Sequence, residues 1–507
     1  MALALPPFDF AQLGWLALVP LLFAIEDCRP GEAFRRGYIA GLVFFSMTVW
    51  WTVHVTLPGM VALIAFLALY FGAAAALFRI VAASLLAARR DTASRLAATN
   101  NLLVAGLCSA GWVTLEWVRG QFLMGGFPWN FLGVTQHRAV PVIQFASLTG
   151  VYGVSALVCV VNFALYFTVR RFICQIRDRG YKRRLSWEFY IAMLLLGAAF
   201  FHGIRTLRHR EPTRSLPVAL VQGNIPQTLK FEPAQKLMIL ERYRSLTELA
   251  VAGRPDLIIW PETATPEPLR YDPATFALVT GIVAKAGAYL LTGTMDETLR
   301  EDGGADSFNA AILAQPDASL QAVYRKTHLV PFGEYVPWRK VLPVMKWLTP
   351  IADSFERGRE FTVFDVYGFR FGTVICFEDT VPGLFRRYVR RDVDFMVNLT
   401  NDAWFKTSPA AELHLANAKF RAIENRRPLV RATNNGVTCI VDEFGFVRVR
   451  LEPFAEGATN CTLDVPETRQ ATCYTKHGDV FVAGCALLAA VGIWLAAFRR
   501  NRLELPA

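Results

Sequence analysis

Four residues have types and settings suited to covalent catalysis: Cys376, Glu262, Lys326 and Glu334. Cys376 lies in "FRFGTVICFEDT" (369–380), an apolar run that reads as a buried strand leading straight into a thiol and two carboxylates. Glu262 follows the apolar part of "IIWPET", where Pro261 has no N–H for a strand ladder and closes the strand. Lys326 and Glu334 share the segment "YRKTHLVPFGEYVP". A thiol, an amine and carboxylates at the ends of neighbouring strands can converge on one rim of a sheet. Acyl transfer is the chemistry such a set suits. The thiolate is the strong nucleophile, and Glu262 in a partly apolar pocket can take its proton. Lys326, kept cationic by nearby carboxylates, can hold the developing oxyanion, with the backbone N–H of Phe377 as a second donor. Each residue also has a plainer role open to it. Free cysteines are among the most buried residue types, a Glu after Trp-Pro can cap a helix, and a lone Lys is usually solvated. His328 and His414 have no second ligand at metal spacing and read as structural. Glu116 and Arg119 read as a local i,i+3 pair with no catalytic role.

The elements that must position these residues come in two textures. Of the 507 residues, 53% are hydrophobic and only 19% charged, which points to a membrane protein with a water-soluble part. The net charge of +11 is no nucleic-acid footprint. The basic residues sit between apolar runs, at Arg35-Arg36, Arg89-Arg90, Arg170-Arg171, Lys182-Arg183-Arg184 and Arg499-Arg500, as on cytoplasmic loops. Apolar stretches of spanning length occur near 10–25, 38–57, 59–78, 102–120, 141–169 and 188–205, and a last one near 478–498. The expected organisation is therefore a membrane segment of six spans over 1–205, a soluble domain over 206–477, and a final span with a basic tail over 478–507. Placing the basic loops and tail in the cytoplasm puts 206–477 outside, together with the loop 121–139. Six leading spans with an outside start lead to the further expectation that a first helix belongs upstream of Met1.

Within 206–477, β-branched runs predict strands over 218–225, 257–262, 288–294, 308–314, 373–378, 395–401 and 429–442. Helical periodicity predicts helices over 234–253, 275–288 and 412–427; in the first, Leu237, Leu240, Tyr243, Leu246 and Ala250 recur on one face. No Gly-rich phosphate loop follows the first strand, so no nucleotide site is expected. The cysteines show no metal-ligand spacing, and Cys461 could pair with Cys473 in an oxidising compartment. The segment 338–358, with Trp338, Leu342, Met345 and Trp347 on one side and Lys340 and Lys346 on the other, fits either an arm dipping into a membrane interface or a folded surface helix.

Together, "WPE", "YRKTHLVPFGEYVP", "ICFED" and "NLTNDAWF" resemble the carbon–nitrogen hydrolase (nitrilase) superfamily. With "VQGNIPQTLKF", "RPLVRATNNG" and the outer-loop "GGFPW", the whole chain resembles the bacterial apolipoprotein N-acyltransferase family. The resemblance implies an α-β-β-α sandwich on the periplasmic face of the inner membrane, joined to a polytopic helical domain and working as a monomer. It implies ping-pong transfer of an acyl chain from a phospholipid, typically phosphatidylethanolamine, through a Cys376 thioester to the α-amine of an S-diacylglyceryl-cysteine on an apolipoprotein. By motif position it makes Glu262 the base, Lys326 the oxyanion holder and Cys376 the nucleophile. Glu334, Phe377 and Glu378 become supporting residues, and Trp129, Phe231 and Trp404 substrate contacts. No cofactor or metal is implied. The chain departs from the family pattern in Phe377, where Tyr is commoner, in Phe231, where Trp is usual, and in the missing first helix. A membrane-anchored amidase using the same triad with water as acceptor is the alternative, and one anchor would suffice for it.

Overall fold

The computed structural model describes residues 1–86, 95–122, 125–177, 185–230, 232–301, 303–337 and 354–503. The chain divides into two compact units. One comprises Met1–Trp50, Met60–His209 and His477–Ala507, and the other Trp51–Gly59 and Arg210–Lys476.

The first unit is helical. Among the described residues five helices are long and apolar enough to cross a membrane: Leu57–Ala83, Asn100–Gln121, Val151–Arg177, Trp187–Arg208 and Val480–Phe498. Hydropathy predicts seven spans, and the differences have local causes. Over 10–25 the chain forms a 3-10 turn, Ala11–Leu16, and then a short helix, Val19–Ala24. Pro20 lacks the N–H that one continuous helix would use there. In place of a span over 38–57, a helix Pro30–Thr48 begins among charged residues, pairing Glu32 with Arg36, and gives way to a 3-10 turn at Trp50–His54. The run 141–169 is interrupted at Gly150, whose φ of 72° ends the short helix Ala146–Thr149. Glu116 and Arg119 are both buried and interact as opposite charges, and each also bonds to the loop that follows. Glu116 Oε1 accepts from the Leu132 N–H at 2.6 Å, and Arg119 donates to the Trp129 carbonyl at 2.7 Å.

The second unit is built on twelve described strands: β1 Thr213–Gln222, β2 Leu257–Ile259, β3 Tyr289–Leu299, β4 Ala305–Ala314, β5 Leu320–Arg325, β6 Val363–Val366, β7 Phe369–Ile375, β8 Phe395–Thr400, β9 Leu429–Thr433, β10 Cys439–Val441, β11 Val447–Arg450 and β12 Gly457–Pro466. They form two sheets, ordered β12-β1-β2-β3-β4-β5 and β11-β10-β9-β8-β7-β6. Strand periodicity explains the layering. Along β1, Val218 and Leu220 face the second sheet, joining Phe371, Ile375 and Leu399 in one buried cluster. Ala219 and Val221 face the other way, against Ile239, Tyr243 and Leu246 of helix Lys236–Val251 and Val279 and Val283 of helix Pro273–Ala286. On the far side of the second sheet lie helices Pro382–Val389 and Ala410–Asn425. This is the expected α-β-β-α sandwich.

The parallel strands β7, β8 and β9 all end on one rim, with Ile375 beside Leu399 and Thr400 beside Thr433. The run 429–442 is two strands, and the run 373–378 stops as a strand at Ile375, three residues short of the expected end. Cys461 and Cys473 are both free thiols, so the disulfide that spacing allowed is not formed. Phe231 and positions 338–353 of the predicted arm lie outside the described residues.

Candidate active site

The rim brings the first four candidate residues together. After β2, Trp260 is fully buried, stacked on Tyr243 at 4.9 Å and bonded through Nε1 to Thr247 at 2.9 Å. Pro261 then turns the chain and Glu262 points into the site, 7% exposed. The neighbouring β3 passes very close. A Cβ on Gly293 would stand 2.5 Å from the Pro261 carbonyl oxygen and the Thr263 nitrogen, so any side chain there would push the Pro261–Thr263 backbone aside.

Lys326 follows β5 and is 1% exposed. Its ammonium lies 2.9 Å from Glu334 Oε1 and 3.9 Å from Glu262 Oε1. Asn309, on β4, completes the bridge, donating to Glu262 Oε1 at 2.8 Å and Glu334 Oε1 at 3.0 Å. The second Glu334 oxygen accepts the Val330 N–H at 2.9 Å. Burial alone would lower the Lys326 pKa, but the Glu334 and Glu262 carboxylates outweigh it and hold the ammonium firmly charged. Burial raises the Glu262 pKa, against the pull of Lys326.

Cys376 opens a 3-10 turn, Cys376–Thr380, instead of continuing β7. Its φ of 54° is left-handed, a conformation that costs a non-glycine residue about 1–3 kcal/mol. The half-buried thiol is pushed up to about 12, first by burial and then by the Glu262 charge, with Lys326 opposing. At rest the sulfur therefore keeps its proton and needs a base.

Glu378 holds this turn in place. Oε2 accepts the Ile375 N–H at 2.8 Å, while Oε1 accepts the N–H groups of Thr327 at 2.9 Å and His328 at 2.8 Å and the Thr327 hydroxyl at 3.0 Å. The Tyr324 hydroxyl reaches both oxygens, at 2.9 and 2.7 Å. One carboxylate thus ties the turn bearing Cys376 to the segment bearing Lys326. Phe377 is half-buried and stacks on His328 at 5.9 Å.

Other expected contacts are less clustered. Trp404 sits in the 3-10 turn Asp402–Phe405 and is 36% exposed, while the adjacent Phe405 ring meets Trp51 edge-on at 4.4 Å. Trp129 is buried in the helical unit. Two site residues escaped the sequence reading. Asn309 is the one polar side chain within the apolar run "FNAAILA", a signal that could have marked it. Lys230 is buried and donates to the Glu262 carbonyl at 2.7 Å, and burial pulls its pKa down to about 8.

Comparison with known proteins agrees with this architecture. Residues 1–164 match the family model "Apolipoprotein N-acyltransferase N-terminal domain", and residues 217–472 match "Carbon-nitrogen hydrolase". The chain is 35% identical to an apolipoprotein N-acyltransferase of Geobacter metallireducens, over 99% of this chain and 94% of that one. It is 30% identical to the enzyme of that name from Pasteurella multocida, over 99% and 95%. Among solved structures, a carbon–nitrogen hydrolase superfamily protein of Xanthomonas campestris covers 54% of this chain and 97% of its own, at 22% identity and a TM-score of 0.39. The chain is a membrane protein, and it belongs to the apolipoprotein N-acyltransferase family, with a carbon–nitrogen hydrolase domain as its second unit.

Proposed function

We propose that this enzyme, as a monomer in the bacterial inner membrane with its second unit in the periplasm, moves a fatty acyl chain from phosphatidylethanolamine to an apolipoprotein. The acceptor is the α-amine of the N-terminal S-diacylglyceryl-cysteine. The observation that carries the reading is the Lys326 ammonium held between Glu334 at 2.9 Å and Glu262 at 3.9 Å, on the rim where Cys376 leaves its strand. Glu262 takes the thiol proton as the sulfur attacks the ester carbonyl. Lys326 stabilises the oxyanion, and the lysophospholipid leaves with the proton from Glu262. The acceptor amine then attacks the thioester and gives its proton to Glu262, and the departing Cys376 sulfur takes that proton back, restoring the resting thiol and the free base. Glu334 and Asn309 fix Lys326 and Glu262 relative to each other, which spares reorganisation in the transition state. Trp129, Phe231 and Trp404 contact the lipid substrates.

Intact mass of the purified protein after incubation with phosphatidylethanolamine tests this. The expected result is a hydroxylamine-sensitive gain of one acyl mass, absent in Cys376→Ala and discharged by a diacylated lipopeptide. Folded wild-type enzyme that gains no acyl mass from accessible lipid would overturn the reading.

A further inference from the structure

Behind the Cys376 turn lies a buried charge cluster that the acyl-transfer steps do not use. His414 Nε2 is 2.8 Å from Asp379 Oδ1, and Nδ1 is 3.1 Å from Asp402 Oδ1. All three side chains are at most 1% exposed. Both ring nitrogens lie within hydrogen-bond distance of carboxylate oxygens, and with both carboxylates ionised only the imidazolium, which has two N–H groups, satisfies the two contacts. Asp379 also receives Arg431 and Asn398, and the same Asn398 amide reaches the Cys376 carbonyl at 3.4 Å. Among the described residues, Asp402 pairs with no cation besides His414, and its Oδ2 is buried without a hydrogen-bond partner. His414 is the group that balances it.

We propose that His414 is a positioning residue for acyl transfer, whose imidazolium holds the Cys376 turn through Asp379 and offsets the Asp402 charge that would otherwise oppose thiolate formation. The inference rests on Cys376 as the nucleophile. Asp402 acts on the thiol as a negative charge that raises its pKa, and Arg431 as a positive charge on the other side of Asp379. The other elements packed around His414 add little charge. On its own helix, Arg421 is engaged by Glu424 at 2.7 Å and by the Thr380 carbonyl at 2.8 Å. On helix Pro382–Val389, Arg386 is bonded to the carbonyls of Tyr474 and Thr475. With a neutral ring, one carboxylate would face a lone pair and the cluster would be net negative beside the sulfur.

The test is the rate of Cys376 alkylation by iodoacetamide in the full-length detergent-solubilised protein, followed by peptide mass. Only the thiolate reacts, so the rate at fixed pH reports the ionised fraction. His414→Gln should slow alkylation about tenfold, and Asp402→Asn should speed it by a similar factor, each equivalent to roughly one unit in the thiol pKa. Loosened packing would expose the sulfur and speed alkylation in both variants. Alkylation of His414→Gln at the wild-type rate or faster would overturn the proposal. Should His414→Gln not fold, Asp402→Asn with a wild-type melting temperature decides, and an unchanged rate there overturns it. The assay needs no acyl donor. Wild-type protein that alkylates at Cys376 yet forms no acyl adduct would sink the transfer reading and leave the charge relation standing.

Discussion

Replacing Glu378 with glutamine keeps the shape of the side chain and turns one acceptor oxygen into a donor. The consequence can be worked out from its partners. Oε2 accepts the Ile375 N–H at 2.8 Å, and Oε1 accepts the N–H groups of Thr327 at 2.9 Å and His328 at 2.8 Å. Whichever way the amide is turned, its NH2 faces at least one backbone N–H, and the better orientation keeps its oxygen toward Thr327 and His328. The Ile375 N–H, directly before the nucleophile, then loses its acceptor. An orphaned buried donor costs about 1–3 kcal/mol, and the surviving bonds lose their charge assistance, so the total falls at roughly 2–4 kcal/mol. Burial opposes the native charge and raises the Glu378 pKa, while Lys326 and the surrounding donors favour the ionised form. For a unit of this size the melting temperature should drop by roughly 5–15 °C.

The effect on rate should exceed the effect on stability. Glu378 is the shared anchor of Cys376 and Lys326, and a displacement of about 1 Å between reacting groups costs on the order of a hundredfold. Single-turnover acylation, followed by intact mass at a temperature where the variant is fully folded, separates the two effects. Acylation of Glu378→Gln at the wild-type rate with an unchanged melting temperature would refute the anchoring role.

Three further outcomes are expected. Gly293→Ala places a Cβ 2.6 Å from Glu262 Cα, so the base must shift, and acylation should fall by roughly ten- to a hundredfold while the protein still folds; a wild-type rate would show that the β3 approach tolerates a side chain. The Cys376 thiol, raised by burial from 9.0 to about 12, keeps its proton in the fold at pH values where the unfolded chain releases it. Its stabilising contribution is thus complete below pH 9.0 and lost as pH climbs toward 12, and melting curves of Cys376→Ala should decline less steeply over that window than those of wild type. Lys230 lowers the Glu262 pKa while it is charged, below about pH 8. In Lys230→Met the acidic limb of the acylation profile, where Glu262 must lose its proton to act as base, should therefore move to higher pH; a limb that stays put would disconnect Lys230 from the base.

The residues most legible in the sequence were those that interrupt a pattern. Glu262 and Cys376 each break an apolar run, and Lys326 and Glu334 stand among prolines and glycines that cannot continue a strand. Strands buried on both faces, such as β8, were visible as continuous apolar runs. The edge strand β11, "VRVR", alternates half-buried with exposed positions, and β12 reads as a polar segment until its pairing with β1 is known. Hydropathy does not register Pro20, which divides the run 10–25, or the charged residues that open helix Pro30–Thr48.

Proximity between distant segments was not legible. His414 was noticed and read as structural, since the carboxylates that give it a task lie at Asp379 and Asp402, on other elements. One clue was available all the same. His414 and Arg421 are seven residues apart, on one face of helix Ala410–Asn425, and that face meets the Cys376–Thr380 turn at both ends. A helix facing an apolar sheet has no reason to bury an imidazole and a guanidinium two turns apart unless polar groups meet them. The turn after Cys376 supplies those groups because a left-handed residue reverses the chain there, exposing Asp379 and the Thr380 carbonyl to the helix. The strain at Cys376 and the buried charges beneath it are two sides of one arrangement. Relieving either should loosen the other.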